Sequence, residues 1–364
     1  MPHNQASSRI LVDRADIRVA RADTENLAIA DGQVLCRVDA FALTANNVTY
    51  ARFGDQMKYW DFFPGAAGWG VVPVWGFAEI AESRAVGLSP GARLWGYWPM
   101  ARHAVLTPTA VKPAGFLDGS PHRAGLAHVY NDYRATAVDP LYARDTEALQ
   151  MIFRPLFGTS FLIDRFLARN TLFGAEQVIF SSASSKTAYA AAMLLAARGV
   201  RVIGLTSASN RAFVESLGCY AETHAYGDVG ALAKKPSVYV DMAGARDLRA
   251  SVHRHFADAL KHSCIVGATN WDKSTPADGD RDLPGAKPQF FFAPSEMARE
   301  IRELGGAAFG AAFHQAWTGF LAKVKAPGFP LDVVTVTGAD AVVQAYGRLV
   351  KGDAGPREGL IARL

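Results

Sequence analysis

Hydrophobic and polar residues alternate in short runs along the first third of the chain, and glycine or proline separates the runs. Val34–Ala40 alternates in its second half, Gly76 interrupts the run Trp75–Ala81, and Gly87–Gly91 forms a turn before Ala92–Tyr97. Alternation of this kind is typical of half-buried β-strands. Short strands at this spacing predict a small β-barrel.

From about residue 176 the chain changes to short, continuous apolar runs that alternate with helical segments. Four strands are predicted here, at Gln177–Phe180, Val200–Leu205, Val238–Asp241 and Cys264–Gly267. Two helices are predicted between them, at Ala188–Ala197 and Arg211–Leu217. Apolar strands that alternate with helices indicate a doubly wound parallel sheet. After Pro327 a strand, a helix and a final strand are expected to complete the first domain.

Composition narrows the class of protein. The 364 residues carry 38 Lys and Arg against 34 Asp and Glu, a formal charge of +4, and these charges are scattered rather than clustered. We therefore expect no nucleic-acid partner. The sequence has no apolar run of 18 residues and no signal-peptide pattern, which favours a cytoplasmic protein without a membrane partner. Its three cysteines form no pair, and its histidines lack a completing ligand set, so no metal site is predicted.

The segment after the first strand of the predicted sheet is rich in serine. It reads Ser-Ser-Ala-Ser-Ser-Lys-Thr-Ala from Ser181 to Ala188 and contains no glycine. In doubly wound sheets this turn offers a helix N-terminus to a pyrophosphate. Small residues allow close approach of the backbone, and Lys186 supplies positive charge. The alternative is that the serines only cap the helix.

The end of the second strand decides between the two nicotinamide dinucleotides. A carboxylate there would bind the ribose hydroxyls of NAD, whereas small hydroxyls and a base accept a 2′-phosphate. The chain offers Thr206, Ser207, Asn210 and Arg211, and no acid. This composition predicts NADP, unless Arg211 is an ordinary solvated surface residue.

These segments together resemble the medium-chain dehydrogenase/reductase superfamily, specifically its zinc-independent quinone oxidoreductase and enoyl reductase branch. Gln177–Gly204 is similar to the family's strand, loop, helix and second strand, with Ser182, Ser185, Lys186 and Ala188 where glycine is usual; Val34–Gly54, Ser89–Gly96 and Val333–Leu364 resemble its other elements. The glycine-free loop marks a divergent subfamily. The resemblance implies an α/β protein with a GroES-like β-barrel domain at 1–160 and 326–364. It implies a Rossmann domain at 161–325, with the nicotinamide in the cleft between the domains, and a homodimer.

Site residues carried over from this resemblance fall into four groups. Those expected at the pyrophosphate are Ser182, Ala183, Ser185, Lys186 and Thr187. Those expected at the adenosine phosphate are Thr206, Ser207 and Arg211. Ala243 and Gly244 would lie near the adenine ribose. The residues expected beside the nicotinamide are Gly267, Ala268, Thr269 and the run Phe290, Phe291 and Phe292.

Catalysis would need a proton donor or an oxyanion stabiliser opposite the hydride. The resemblance points to the loop after the first strand, and we single out Tyr50, Tyr59 and Asn47 there. The weakly matching segment 115–170 adds Tyr130 as a proton donor and Arg154 as a ligand for an anionic substrate group. Each tyrosine is alternatively a core residue, and the segment is alternatively a surface hairpin and helix cap.

These observations predict an NADP(H)-dependent, zinc-independent oxidoreductase. It would reduce a carbonyl, or a C=C bond conjugated to one, in a bulky and possibly aromatic small molecule. One alternative is a pseudo-reductase that binds another phosphate-bearing ligand or a protein partner without redox turnover. A second alternative is a lyase or isomerase on the same scaffold.

Overall fold

The computed structural model describes residues 5–266 and 282–364, and the chain divides into two compact units. Unit 1 runs through Pro155 and resumes at Leu331–Leu364, whereas unit 2 comprises Leu156–Pro330. The structure places the two domain boundaries after residues 155 and 330, whereas the sequence predicts them after residues 160 and 325.

The strands of the described residues are numbered here in chain order. They are β1 (Gln5–Asp13), β2 (Ala20–Leu27), β3 (Val34–Leu43), β4 (Trp69–Gly70), β5 (Pro73–Ser83), β6 (Arg93–Pro99), β7 (His103–Leu106), β8 (Pro108–Lys112), β9 (Gly115–Asp118), β10 (Asp132–Ala135), β11 (Gln177–Phe180), β12 (Arg201–Thr206), β13 (Glu222–Ala225), β14 (Ser237–Asp241), β15 (Leu260–Ile265), β16 (Pro288–Phe290), β17 (Asp332–Thr337) and β18 (Glu358–Arg363).

The helices are numbered in the same way. They are α1 (Ala45–Arg52), α2 (Glu147–Arg169), α3 (Lys186–Ala197), α4 (Arg211–Ser216), α5 (Arg246–Phe256), α6 (Ala293–Leu304), α7 (Gly306–Val324) and α8 (Ala339–Lys351). Helix α3 starts two residues before the predicted Ala188, because Ser185 serves as its N-cap. No helix in the described ranges is both long and apolar enough to cross a bilayer.

Unit 1 is built from mainly antiparallel sheets. Its largest sheet has the order β17-β18-β3-β5-β6-β10-β9-β8, with β7 also paired to β3, and a smaller sheet has the order β2-β1-β4. The only parallel neighbours among these strands are β17 and β18. Large aromatic side chains such as Phe41, Tyr97 and Trp98 belong to the hydrophobic core of this unit. The sheet type agrees with the alternation seen in the sequence.

Unit 2 contains a six-stranded parallel sheet. Its strand order is β13-β12-β11-β14-β15-β16, and every pair in it is parallel. The strands β11 and β14 are wholly buried, as their continuous apolar sequences require. The predicted α/β class, with antiparallel sheets and a doubly wound parallel sheet, is confirmed. Because β11 lies between β12 and β14, the strand order reverses there, and ligands of such sheets bind at the carboxyl edge of that point.

Candidate functional site

The segment Ser181–Ser185, called here the serine loop, joins β11 to α3 at the carboxyl edge of the parallel sheet. Ser182 has a φ of +49°, in the left-handed region that favours glycine. The N–H of Ser185 then donates to the carbonyl of Ser182 at 2.8 Å, which closes a tight turn before the helix. The backbone thus makes the glycine-type turn without a glycine.

Each serine side chain of this loop bonds to a different part of unit 2. Ser181 Oγ donates to Asp241 Oδ1 at 2.9 Å. Tyr226, just after β13, is hydrogen-bonded to Ser182, and Asn210 Nδ2, before α4, donates to Ser184 Oγ at 3.2 Å. Ser185 Oγ accepts the N–H of Ala188 at 3.3 Å. These side chains therefore hold the loop in place, while Ser184 and Ser185, which accept in these contacts, keep an O–H donor for a ligand.

The remaining residues expected at the pyrophosphate lie where the loop becomes the helix. Ala183 is fully buried; its N–H donates to the Leu205 carbonyl at 3.0 Å, and a Cβ on Gly204 would meet its own Cβ at 3.0 Å. Lys186 and Thr187 begin α3, and the carbonyl of Thr187 accepts from Ser160 Oγ at 2.8 Å. Positive charge and the positive end of the helix dipole thus coincide at the start of α3.

At the end of β12, the residues expected near the adenosine phosphate form two small clusters. Ser207 Oγ lies 3.0 Å from Ser209 Oγ, and Arg211 Nε donates to Glu215 Oε1 at 2.9 Å on the exposed side of α4. Thr206 is fully buried, and its hydroxyl has no hydrogen-bond partner in the described ranges. Because it is buried, this hydroxyl is not open to a ligand in the structure.

The backbone N–H groups of the segment after β14 donate hydrogen bonds to side chains of the protein. Those of Met242 and Ala243 donate to Ser181 Oγ at 2.9 and 3.0 Å, and that of Gly244 donates to Asp241 Oδ1 at 2.9 Å. The predicted Gly267, Ala268 and Thr269 lie outside the described residues. Phe291 is 7% exposed and packs against Phe166, while Phe290 and Phe292 are open to solvent.

In unit 1, the structure brings together the three predicted tyrosines. Tyr59 Oη lies 3.4 Å from Tyr130 Oη, and Trp75 Nε1 donates to Tyr50 Oη at 3.3 Å. The ring centroids of Tyr50 and Tyr59 are 4.7 Å apart, and Tyr97 stands 4.6 Å from Tyr130. We call these four tyrosines and Trp75 the tyrosine cluster. It is a compact, largely buried aromatic group that carries several hydroxyl groups and forms part of the core of unit 1.

Burial determines how these hydroxyls titrate. Desolvation raises the pKa of Tyr50, Tyr59, Tyr97 and Tyr130 above the ordinary value, and for Tyr50 and Tyr130 neighbouring tyrosines add to the rise. Tyr97 is fully buried, and its hydroxyl has no partner in the part of the chain that is described. At neutral pH the cluster therefore offers neutral hydroxyls, which donate hydrogen bonds.

Two predicted catalytic residues have structural roles instead. Asn47 is 2% exposed: its Oδ1 accepts the N–H of Thr44 at 2.7 Å, and its Nδ2 donates to the Pro73 carbonyl at 2.9 Å. Arg154 lies inside α2, with Nη2 2.6 Å from Asp139 Oδ2, and both side chains are over nine-tenths buried. Neither is exposed to a substrate: buried protein partners satisfy Asn47, whereas Arg154 pairs with Asp139 and its buried Nη1 lacks a hydrogen-bond partner among the described residues.

Sequence reasoning missed Tyr97, Trp75, Asp241 and Arg249. The first two lie on β6 and β5, where alternating apolar residues gave no reason to separate them from the core. In the sequence, Asp241 appears only as the last residue of a predicted strand. Arg249 lies on α5, where the histidines near the end of the helix are the residues that a metal site would use. The sequence did give one indication for Asp241: it ends the apolar run Val238–Val240, and an acid buried at such a position needs a partner.

Comparison with known proteins connects this geometry to solved structures. CurA from Vibrio vulnificus in complex with NADPH shares 13% identity over 98% of both chains with a TM-score of 0.57. The quinone oxidoreductase from Coxiella burnetii shares 13% identity over 99% of this chain and 100% of its own, with a TM-score of 0.56. The yhdH oxidoreductase from Salmonella enterica in complex with NADP shares 12% identity over 98% and 99%, with a TM-score of 0.55.

At these identities the likeness concerns the fold, and at that level the resemblance stated from the sequence is confirmed. A search of curated proteins found no match. A family model described as "Protein of unknown function (DUF2855)" matches residues 41–355, which is most of the chain.

Proposed function

We propose that this chain, which belongs to the family of proteins of unknown function DUF2855, is an NADP(H)-dependent, zinc-independent oxidoreductase. The substrate would be a carbonyl compound, or one with a C=C bond conjugated to the carbonyl, with a bulky and possibly aromatic body. The observation that carries the proposal is the serine loop at the strand-order reversal, which makes a left-handed turn into α3 beside Lys186. Two of the solved proteins of this fold, CurA in complex with NADPH and the yhdH oxidoreductase in complex with NADP, support it.

The residues at the end of β12 fit NADP better than NAD. The segment from Thr206 to Arg211 contains no acid that would repel a 2′-phosphate, and Arg211 and Ser207 would bind that group. Lys186 and the start of α3 would hold the pyrophosphate. When bound, NADPH supplies the hydride that reduces the electrophilic carbon and leaves as NADP⁺.

The tyrosine cluster would serve the substrate. Tyr50, Tyr59 and Tyr130 are protonated at neutral pH, as tyrosines ordinarily are, and burial raises their pKa further, so that a hydroxyl would donate a hydrogen bond to the carbonyl oxygen of the substrate. The proton that completes the reduction would pass along the Tyr59–Tyr130 hydroxyl contact from solvent, since Tyr130 is only partly buried. The aromatic rings favour a substrate with an extended apolar surface.

We also propose that the protein is a cytoplasmic homodimer. The edge strand β16 leaves Phe290 exposed, and Phe292 follows it. Met297, Ile301 and Leu304 of α6 are exposed at helical spacing. A second copy paired along this edge would cover these apolar side chains. The three cysteines are free and buried, as suits a reducing compartment.

The competing candidate is a protein that binds a different phosphate-bearing ligand or a protein partner without redox turnover. The anchoring of the serine loop favours this rival, because the Ser181 hydroxyl is fully used within the protein and the loop lacks the glycines that let a backbone approach a dinucleotide closely. The two proposals differ in what the purified protein should bind. The oxidoreductase should bind NADPH more tightly than NADH, whereas the rival should bind neither.

The test is a calorimetric or fluorescence titration of the full chain with both dinucleotides. We expect Lys186→Ala to weaken NADPH binding by roughly 10-fold, the loss of one charge-assisted contact. Lys234→Ala is the matched control, because Lys234 is an exposed lysine that precedes β14 at the opposite edge of the sheet. Absence of binding by the wild type, or equal losses in both variants, would overturn the proposal.

A further inference from the structure

Three buried polar side chains connect the serine loop to the segment after β14. Ser181 Oγ donates to Asp241 Oδ1 at 2.9 Å and accepts the N–H groups of Met242 and Ala243. Ser181 and Asp241 are fully buried, and Arg249 is 5% exposed. Because β11 and β14 are adjacent parallel strands, these contacts join the two segments on either side of the point where the strand order reverses.

Arg249 lies on α5 and completes this network. Its Nη1 is 2.5 Å from Asp241 Oδ2, while Oδ1 of the same carboxylate accepts from Ser181 and from the N–H of Gly244. A buried carboxylate without a cation would protonate or rotate toward other donors. The guanidinium therefore fixes the orientation in which the carboxylate receives Ser181.

The serine loop needs such support for a physical reason. A glycine at the left-handed position would adopt the turn at little cost, whereas Ser182 adopts it against the preference of an L-residue. The turn must therefore be maintained by contacts elsewhere. Ser181 precedes Ser182 directly, so that anchoring Ser181 fixes the start of the turn.

We infer that Arg249 is a positioning residue that acts through Asp241 and Ser181 to hold the serine loop in its binding shape. Through side-chain contacts, the network holds a turn that glycine adopts at little cost in other dinucleotide loops. Its consequence for NADPH affinity rests on the proposed function. Its consequence for the order of the loop does not depend on any ligand.

The experiment compares Arg249→Met and Arg249→Lys with the wild type. Hydrogen exchange is measured for peptides that cover 181–185 and 242–244, and NADPH is titrated in parallel. Arg249→Met should exchange at least tenfold faster in both segments and bind NADPH at least tenfold more weakly. Arg249→Lys should recover part of both losses, since an ammonium group still pairs with Asp241.

The control is Arg198→Met, which breaks another ion pair of the same unit. Arg198 binds Asp164 through two contacts of 2.7 and 2.8 Å, and that carboxylate is likewise buried. This variant should lose stability without faster exchange in the two segments. Equal effects of Arg198→Met and Arg249→Met, or unchanged exchange in Arg249→Met, would refute the positioning role.

If Arg249→Met does not fold, Ser181→Ala decides the question. This substitution removes the connecting hydroxyl and leaves the ion pair intact, so it should raise exchange in both segments by the same mechanism. Unchanged exchange in Ser181→Ala would contradict the inference. A wild type that fails to bind NADPH would reject the proposed function, while the exchange results would still test Arg249.

Discussion

Removal of the Arg211 guanidinium should weaken the binding of NADPH and leave that of NADH unchanged. Arg211 is the first residue of α4, and its Nε pairs with Glu215 Oε1 at 2.9 Å. Both side chains are about half exposed, at 50% and 52%. Arg211 can therefore turn from Glu215 to a 2′-phosphate at low cost. Arg211→Gln removes the charge and the guanidinium and keeps a shorter polar side chain.

The expected magnitude is the difference between two interactions. A hydrogen bond to a charged group contributes about 1.5–3 kcal/mol. Against this stands the exposed i,i+4 pair with Glu215, which contributes about 0.3–0.5 kcal/mol and must be broken. The net loss in Arg211→Gln is then about 1–2.5 kcal/mol. This corresponds to a decrease in NADPH affinity of roughly 5- to 70-fold.

The assay is a titration of each variant with NADPH and with NADH at one ionic strength, because exposed charges are screened by salt. Glu215→Gln is the informative partner variant: it removes the group that competes for Arg211 and should tighten NADPH binding about twofold. Equal losses for the two dinucleotides in Arg211→Gln would show that Arg211 does not contact the 2′-phosphate. Weaker NADPH binding in Glu215→Gln would show that Glu215 does not compete with NADPH for Arg211.

Two further predictions concern stability and are measured by chemical denaturation. Tyr97→Phe should raise the free energy of unfolding by about 1 kcal/mol, because it deletes a buried hydroxyl that lacks a partner in the described residues. Tyr133→Phe should lower it by about 2 kcal/mol, since the Tyr133 hydroxyl donates to the Tyr97 carbonyl at 2.6 Å and accepts from Arg123; similar effects of the two changes would contradict this reasoning. Ser182→Gly should be more stable than Ser182→Ala by about 1 kcal/mol, because both lose the side-chain contact to Tyr226 and only alanine retains the unfavourable left-handed backbone. Equal stability of these two variants would argue against strain at residue 182.

Local sequence was sufficient to predict the alternation of strands and helices in unit 2. β11 coincides with the predicted Gln177–Phe180, because a short apolar run that ends at a serine-rich turn favours a buried strand. The strand predicted at Cys264–Gly267 instead spans Leu260–Ile265, since Lys261 and His262 concealed its buried beginning. The fold class followed from these runs.

The contacts of the candidate site could not be predicted from the sequence in the same way. Ser181 meets Asp241 across 60 positions, and Tyr59 meets Tyr130 across 71. Such pairs arise from strand order, which periodicity does not determine. Arg154 appeared open to a substrate because its partner, Asp139, stands in a segment without a recognisable pattern.

The distributed anchoring of the serine loop has an evolutionary consequence. Its hydroxyls bond to Asn210, Tyr226 and Asp241, which lie at or just after the ends of three other strands, and to the first turn of its own helix. A return to glycine at one serine would leave its partner unsatisfied and would gain little elsewhere. Ancestral and modern loops of the two kinds should therefore be separated by coordinated substitutions, and relatives that carry glycines should also differ at positions 210, 226 and 241.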